Sequence, residues 1–250
     1  MKAKINAMLL LILIVILPLR IVPTDGDSSH TNIGAFGGFG QYAQISRGCE
    51  GQIVDKDKIP FSEFGICIDH KTQSPLRYGI QASYFTFKEL TEHWDEEQAY
   101  EIKTSSTENI IAAHPYANFE WKHFAFGFGF LFTNHTLLFS GDADEDIAKG
   151  MTSIYVRGGS LNKIYVDFSL SHMPPLLSGD NFRMGVGHRY PNFDLWGGIG
   201  YGMYDSIGLL FRSKLHLQKN LSLDIYSRFN EAARIYEYTV NMGLTYRFNK

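Results

Sequence analysis

The thirteen residues from Tyr236 to Phe248 constrain the fold more than any other stretch of the chain. Tyr236, Tyr238, Val240, Met242, Leu244, Tyr246 and Phe248 are apolar or aromatic, and Glu237, Thr239, Asn241, Gly243, Thr245 and Arg247 stand between them. Successive side chains of a strand point to opposite sides, so this alternation specifies one oily face and one polar face. Strands of soluble proteins are commonly about 5–6 residues long. A tilted strand that crosses a bilayer needs about 9–11. The stretch is therefore expected to span a membrane.

The same pattern recurs along the chain. Strands are expected over about Ile33–Ser46, Phe61–Asp69, Leu76–Phe87, Asn109–Trp121, Phe124–Thr133, Thr152–Arg157, Ile164–Leu170, Phe182–His188, Phe193–Tyr201, Ile207–Leu217 and Leu221–Phe229, with Tyr236–Phe248 last. The first is glycine-rich and small on one face. The fourth contains Pro115, which predicts a bulge, since a proline inside a strand removes a ladder donor. The fifth carries Phe124, Phe126, Phe128, Phe130 and Phe132 on one side. In a soluble protein that face would be a dense core or an aggregation hazard, whereas in lipid it is an ordinary outward face.

The expected fold is all-β: a closed antiparallel up-and-down transmembrane β-barrel of about twelve strands, with ten as the alternative count. The connections support it. Tight turns link strands two to three, four to five, six to seven, eight to nine and ten to eleven. Most of the others are long: Arg47–Pro60, Lys88–Glu108, Asn134–Gly150 and His172–Asp180. Transmembrane barrels have this asymmetry, short turns on the inner side and long loops outside. An even count puts both ends of the barrel on the inner side and requires Tyr236–Phe248 to pair with the first strand.

Composition agrees where it bears on this. Mean hydropathy is −0.14 and the hydrophobic share is 44%. These values exclude a helical membrane bundle but not a barrel, whose oily residues are diluted by alternation. A formal charge of −3 excludes a strongly basic, nucleic-acid-binding surface. Lys2 and Lys4 precede an apolar run from Ala7 to Leu17, too short for a membrane helix and suited to an export signal. Residues 1–23 are thus expected to be signal and lead-in, and residues 32–250 the barrel. A soluble, lipocalin-like barrel would turn the apolar face inward. Twelve strands and aromatic residues near the strand ends (Tyr84, Trp121, Phe124, Tyr236, Phe248) point to the membrane instead.

With its Lys2/Lys4 and Ala7–Leu17 leader, its alternating segments from Ile33 onward and its terminal Tyr246-Arg247-Phe248, the chain resembles bacterial outer-membrane β-barrel proteins. The resemblance implies residence in the bacterial outer membrane, with its lipids and the barrel-assembly machinery as partners. That machinery reads a terminal aromatic; here Asn249-Lys250 follow Phe248. The resemblance is architectural and implies no activity.

The inward face offers the first candidate site. With the apolar faces outward, the lumen is expected to hold Arg77, Lys122, Arg157, Arg183, Arg189, Arg212, Lys214, Arg228 and Arg247, against Asp69, Glu120, Asp167, Asp194, Asp224 and Glu237. Two readings follow: a narrow pore favouring small anionic solutes, or a salt-bridged plug that closes the lumen. Bulky inward groups (Tyr155, Tyr165, Trp196, Tyr226) favour filling. Arg183, Arg212, Asp224, Arg228 and Glu237 form the expected lumen charge cluster, because strands eight to twelve are neighbours. Asp142–Asp146 imitates the start of a calcium loop but lacks its glycine and its final glutamate. Ser171-His172, with Asp167 below, is the one hydrolase-like arrangement, giving a lipid-modifying enzyme as the alternative; surface recognition or adhesion through the outside loops is another. No metal site, cofactor or catalytic residue is assigned, and a non-enzymatic role is expected. Cys49 and Cys67 can pair only if the intervening loop dips inward.

Overall fold

The computed structural model describes residues 29–47, 53–95, 100–133, 149–160, 163–170, 182–201, 207–232 and 235–249. The proposed leader, Cys49, the Asp142–Asp146 segment and Ser171-His172 lie outside these residues. The strands are β1 (His30–Arg47), β2 (Ile53–Lys71), β3 (Leu76–Asp95), β4 (Tyr100–Glu120), β5 (Phe124–Thr133), β6 (Lys149–Gly159), β7 (Tyr165–Leu170), β8 (Phe182–Arg189), β9 (Phe193–Tyr201), β10 (Ile207–Gln218), β11 (Leu221–Ala232) and β12 (Ile235–Asn249). Each pairs with its sequence neighbours, and β12 returns to β1 to close the ring. The register runs from Gln44 opposite Ile235 to His30 opposite Asn249, so the terminal alternating stretch closes the barrel on the glycine-rich first strand as its pattern requires.

The faces follow the alternation. Phe124, Phe126, Phe128 and Phe130 are 46%, 39%, 50% and 37% exposed on the outside of β5, while Ala125 and Leu131 on its inner face are 0% and 1% exposed. The outward aromatics Tyr246 and Phe248 mark one edge of the oily band, and Tyr238 and Tyr236 the other. At ~3.3 Å per residue and a tilt of about 40°, Tyr238 to Phe248 spans roughly 25 Å of height, the apolar thickness of an outer-membrane barrel. The turns at 72–75, 121–123, 190–192 and 219–220 share the end at which β1 begins and β12 finishes, the end that short turns assign to the periplasm in barrels of this kind.

Two expected loops are strand instead. β2 begins at Ile53, within the segment read as the loop Arg47–Pro60. β3 continues to Asp95 and β4 starts at Tyr100, so Lys88–Glu108 is mostly hairpin. The outer edge of the oily band explains the error. On the outward face of this hairpin the Thr86 hydroxyl donates to the Asn109 side-chain carbonyl, which marks the end of the lipid zone. Beyond it the outward face no longer meets lipid, so the strands pair without outward apolar alternation. From Thr86 to Asp95 that is roughly 30 Å of strand. The bulge expected at Pro115 is absent as well. Pro115 stays opposite Ile80 in an unbroken register, and the pairs Ala113–Phe132 and Tyr116–Gly129 keep one register towards β5.

Glycines on the inner face let neighbouring rings lie flat against the wall. A Cβ on Gly185 would come 2.3 Å from the Trp196 ring, and one on Gly187 would come 2.2 Å from Tyr165. The two rings thereby cross β8 from either side, and the Trp196 indole N–H donates to Asp167 at 2.8 Å. Substituting Gly185→Val should push Trp196 off the wall and destabilise the barrel by about 1–3 kcal/mol, seen as a lower urea midpoint in unfolding from liposomes. Gly158→Ala, where a Cβ would meet nothing within 4 Å, should leave the midpoint unchanged.

Candidate functional site

The lumen divides into two levels with different chemistry. Towards the outside it is packed. Tyr42, Ile59, Phe61, Phe85, Phe87 and Ile110 form one buried cluster on the inner faces of β1 to β4. Phe61 and Phe85 stack with centroids 5.6 Å apart. Across from them lie Leu131 and Leu210, together with Arg228 and Glu237, which form an ion pair at 2.9 Å with side chains 0% and 6% exposed. These inward groups of the outer half are shielded from water.

The apolar cluster was not foreseen, although the alternation contained it. With Leu76, Tyr78, Ile80, Ala82 and Tyr84 outward on β3, Phe85 and Phe87 must point inward. Large apolar side chains at inward positions near the outer ends of three consecutive strands were the available signal.

The periplasmic half is wetter and charged. Arg77 spans Asp69 (2.9 Å) and Glu120 (3.6 Å), and Lys71 also reaches Glu120 at 3.6 Å. Asn32 donates to the same Asp69 oxygen at 2.8 Å. Arg189 pairs with Asp194 at 3.0 Å, with His216 at 3.4 Å on its other side. Arg212 grips Asp224 through Nε (2.9 Å) and a second nitrogen. Arg183 donates to the Ser169 hydroxyl at 2.8 Å. Of the expected lumen groups, Lys122 is excluded: β4 ends at Glu120, so Lys122 sits exposed in the turn. Arg247 lies exposed at the rim, opposite Asn32.

The expected cluster Arg183, Arg212, Asp224, Arg228 and Glu237 is therefore two groups. Arg183, Arg212 and Asp224 line the periplasmic vestibule, while Arg228 and Glu237 sit higher, inside the plug. Neighbouring strands share a wall but not a level, and residues four apart on one strand, such as Asp224 and Arg228, differ in height by roughly 10 Å. Cys67 is a free thiol facing the lumen, and Cys49 lies outside the described residues. His114 Nε2 and the Ser153 hydroxyl lie 2.8 Å apart, buried inside the wall against Gly129, whose missing side chain makes the contact feasible. Both are shut off from substrate, being 1% and 0% exposed. A cavity of about 430 Å³ lies beside β7 to β11 and is lined by Val186, Leu195, Trp196, Phe211 and Arg212.

Solved structures share this architecture. Outer membrane phospholipase A from Escherichia coli is 11% identical over 84% of this chain and 89% of its own, with a TM-score of 0.36. An outer membrane channel from Pseudomonas putida F1 is 10% identical over 93% of this chain and 100% of its own, with a TM-score of 0.45. The transport unit of the autotransporter AIDA-I from Escherichia coli is 10% identical over 96% of this chain and 97% of its own, with a TM-score of 0.47. No family model and no curated protein matches the chain. Each of these is a solved barrel to which this chain is similar; what the chain itself shows is a closed twelve-strand antiparallel barrel with an apolar, aromatic outward face.

The buried ion pair gives a test of the plug. Arg228→Met or Glu237→Gln alone should destabilise the barrel by about 3–5 kcal/mol, because each removes one half of an ion pair held in a dry site. The double variant Arg228→Met/Glu237→Met should recover most of that loss in the same urea titration.

Proposed function

We propose that the protein is a closed, non-enzymatic barrel of the bacterial outer membrane that anchors an outside β-sheet wall, rather than an open anion pore. The observation that carries this is the burial of the inward side chains of the outer half, down to the fully enclosed Arg228. The outer reach of β2, β3 and β4 supports the anchoring role, since it carries strand well past the lipid zone on one side of the barrel. Surface recognition belongs to that wall. A non-enzymatic role is favoured by the seclusion of the His114–Ser153 pair, which no lipid substrate can reach. The lipids of the outer membrane contact the aromatic band, and the barrel-assembly machinery would read the last strand with its exposed Phe248.

Planar-bilayer recording tests the closed lumen. The purified barrel should show no steady conductance over the usual voltage range, and Phe61→Ala/Phe85→Ala should introduce it by removing the two stacked rings. A steady, anion-preferring current from the unaltered protein would reject the closed barrel.

A further inference from the structure

Lys214 is the odd charge of the vestibule. On β10 it stands directly opposite Asp194 of β9 and Asp224 of β11. Either would be its natural partner, yet Arg189 holds the first and Arg212 the second. Lys214 meets no carboxylate within ion-pair distance among the described residues. Arg183 is in the same position, bonded only to the Ser169 hydroxyl. Both cations, with Arg212, act electrostatically on Asp224, and Arg183 and Arg212 act on Asp167 as well, without either Lys214 or Arg183 forming an ion pair among the described residues. Lys214 also lies within electrostatic range of Arg77 on the opposite wall. The Arg212 side chain remains 50% exposed despite its pair, so part of its guanidinium faces open space. Half-wet, low-dielectric surroundings strengthen the attraction of such a group for an anion, and the packed outer half makes the space a blind end reached from the periplasm.

We propose that this vestibule binds a small oxyanion of the phosphate class, held by Lys214, Arg183 and the free edge of Arg212. Guanidinium groups present paired N–H donors that match the oxygens of such an anion, and the ammonium of Lys214 adds a point charge. Two cations without a carboxylate partner suit a ligand carrying about two negative charges. The inference goes beyond the anchoring role and does not depend on it, because it concerns the opposite end of the lumen.

Calorimetric titration of inorganic phosphate tests it, with the full chain folded in a non-ionic sugar detergent free of phospholipid at low ionic strength, so that no lipid headgroup supplies the phosphate. Saturable binding is expected, weakened about tenfold in Lys214→Met and again in Arg183→Met. Lys214→Met should fold with a nearly unchanged urea midpoint, since Lys214 makes no ion pair within 4 Å among the described residues, so weaker binding cannot be laid to unfolding. Three results would overturn the proposal: no saturable heat with phosphate, unchanged affinity in both variants, or displacement by chloride at concentrations equal to phosphate. The conductance recording bears on the outer plug alone, so failure of one idea is distinguishable from failure of the other.

Discussion

Lipid offers no hydrogen-bond partner to a peptide group, and the ladder between β1 and β12 is what answers that constraint. Without it two strands would present open edges at membrane depth, each unpaired group costing several kcal/mol. The ladder runs for the full length of β12, from Ile235 to Asn249. Closure then dictates much of the rest. It fixes an even number of strands once both ends lie on one side, it sets every inward and outward position by parity, and it forces the wall to curve. The inward glycines of β1 ease that curvature by leaving room for rings from the next strand: a Cβ on Gly40 would fall 2.5 Å from Phe61.

A ring of twelve strands encloses more space than its aliphatic side chains can fill, and less than a wide aqueous channel needs. The two halves of this lumen meet the problem differently. Outside, rings from β1 to β3 and Ile110 of β4 pack inward, and the buried ion pair on the other wall is tolerated because Arg228 and Glu237 neutralise each other at 2.9 Å. On the periplasmic side, long charged side chains cross the space and pair along and between strands, keeping partial contact with solvent. Burial thus makes the outer pair expensive to break, while the inner pairs, nearer to water, each contribute little to stability.

Strand existence and facing were legible in the sequence because lipid imposes them locally: an outward residue in the oily band must be apolar whatever its neighbours are. That rule reads Phe124 to Phe132 and Tyr236 to Phe248 correctly from the residues alone. It stops working at the edge of the band, which is why the outer parts of β2, β3 and β4, rich in charge, were read as loops. Pro115 misled for a related reason: the missing donor was taken to need a bulge, yet the strand holds its register on both sides. The site was less legible still. Parity places Arg212 and Arg228 on the inner face, but their levels relative to Asp224, Glu237 and Phe85 depend on register across several strands, which is a non-local quantity. Hence one expected cluster resolved into two groups, and the inward Phe85 and Phe87 were passed over as part of a strand whose outward set was already assigned.

The two groups also differ in how salt reaches them. At physiological ionic strength the screening length is about 8 Å, and it acts where ions can enter. Arg212 and Arg189, with side chains 50% and 42% exposed, are open to such screening, whereas Arg228 at 0% is not. Raising the salt therefore weakens the field of the vestibule and leaves the plug intact. A barrel built this way would keep its packed outer half under conditions that weaken the proposed anion site. That half rests on packed rings and one dry ion pair, and the site on charges whose usual partners Arg189 and Arg212 have already taken.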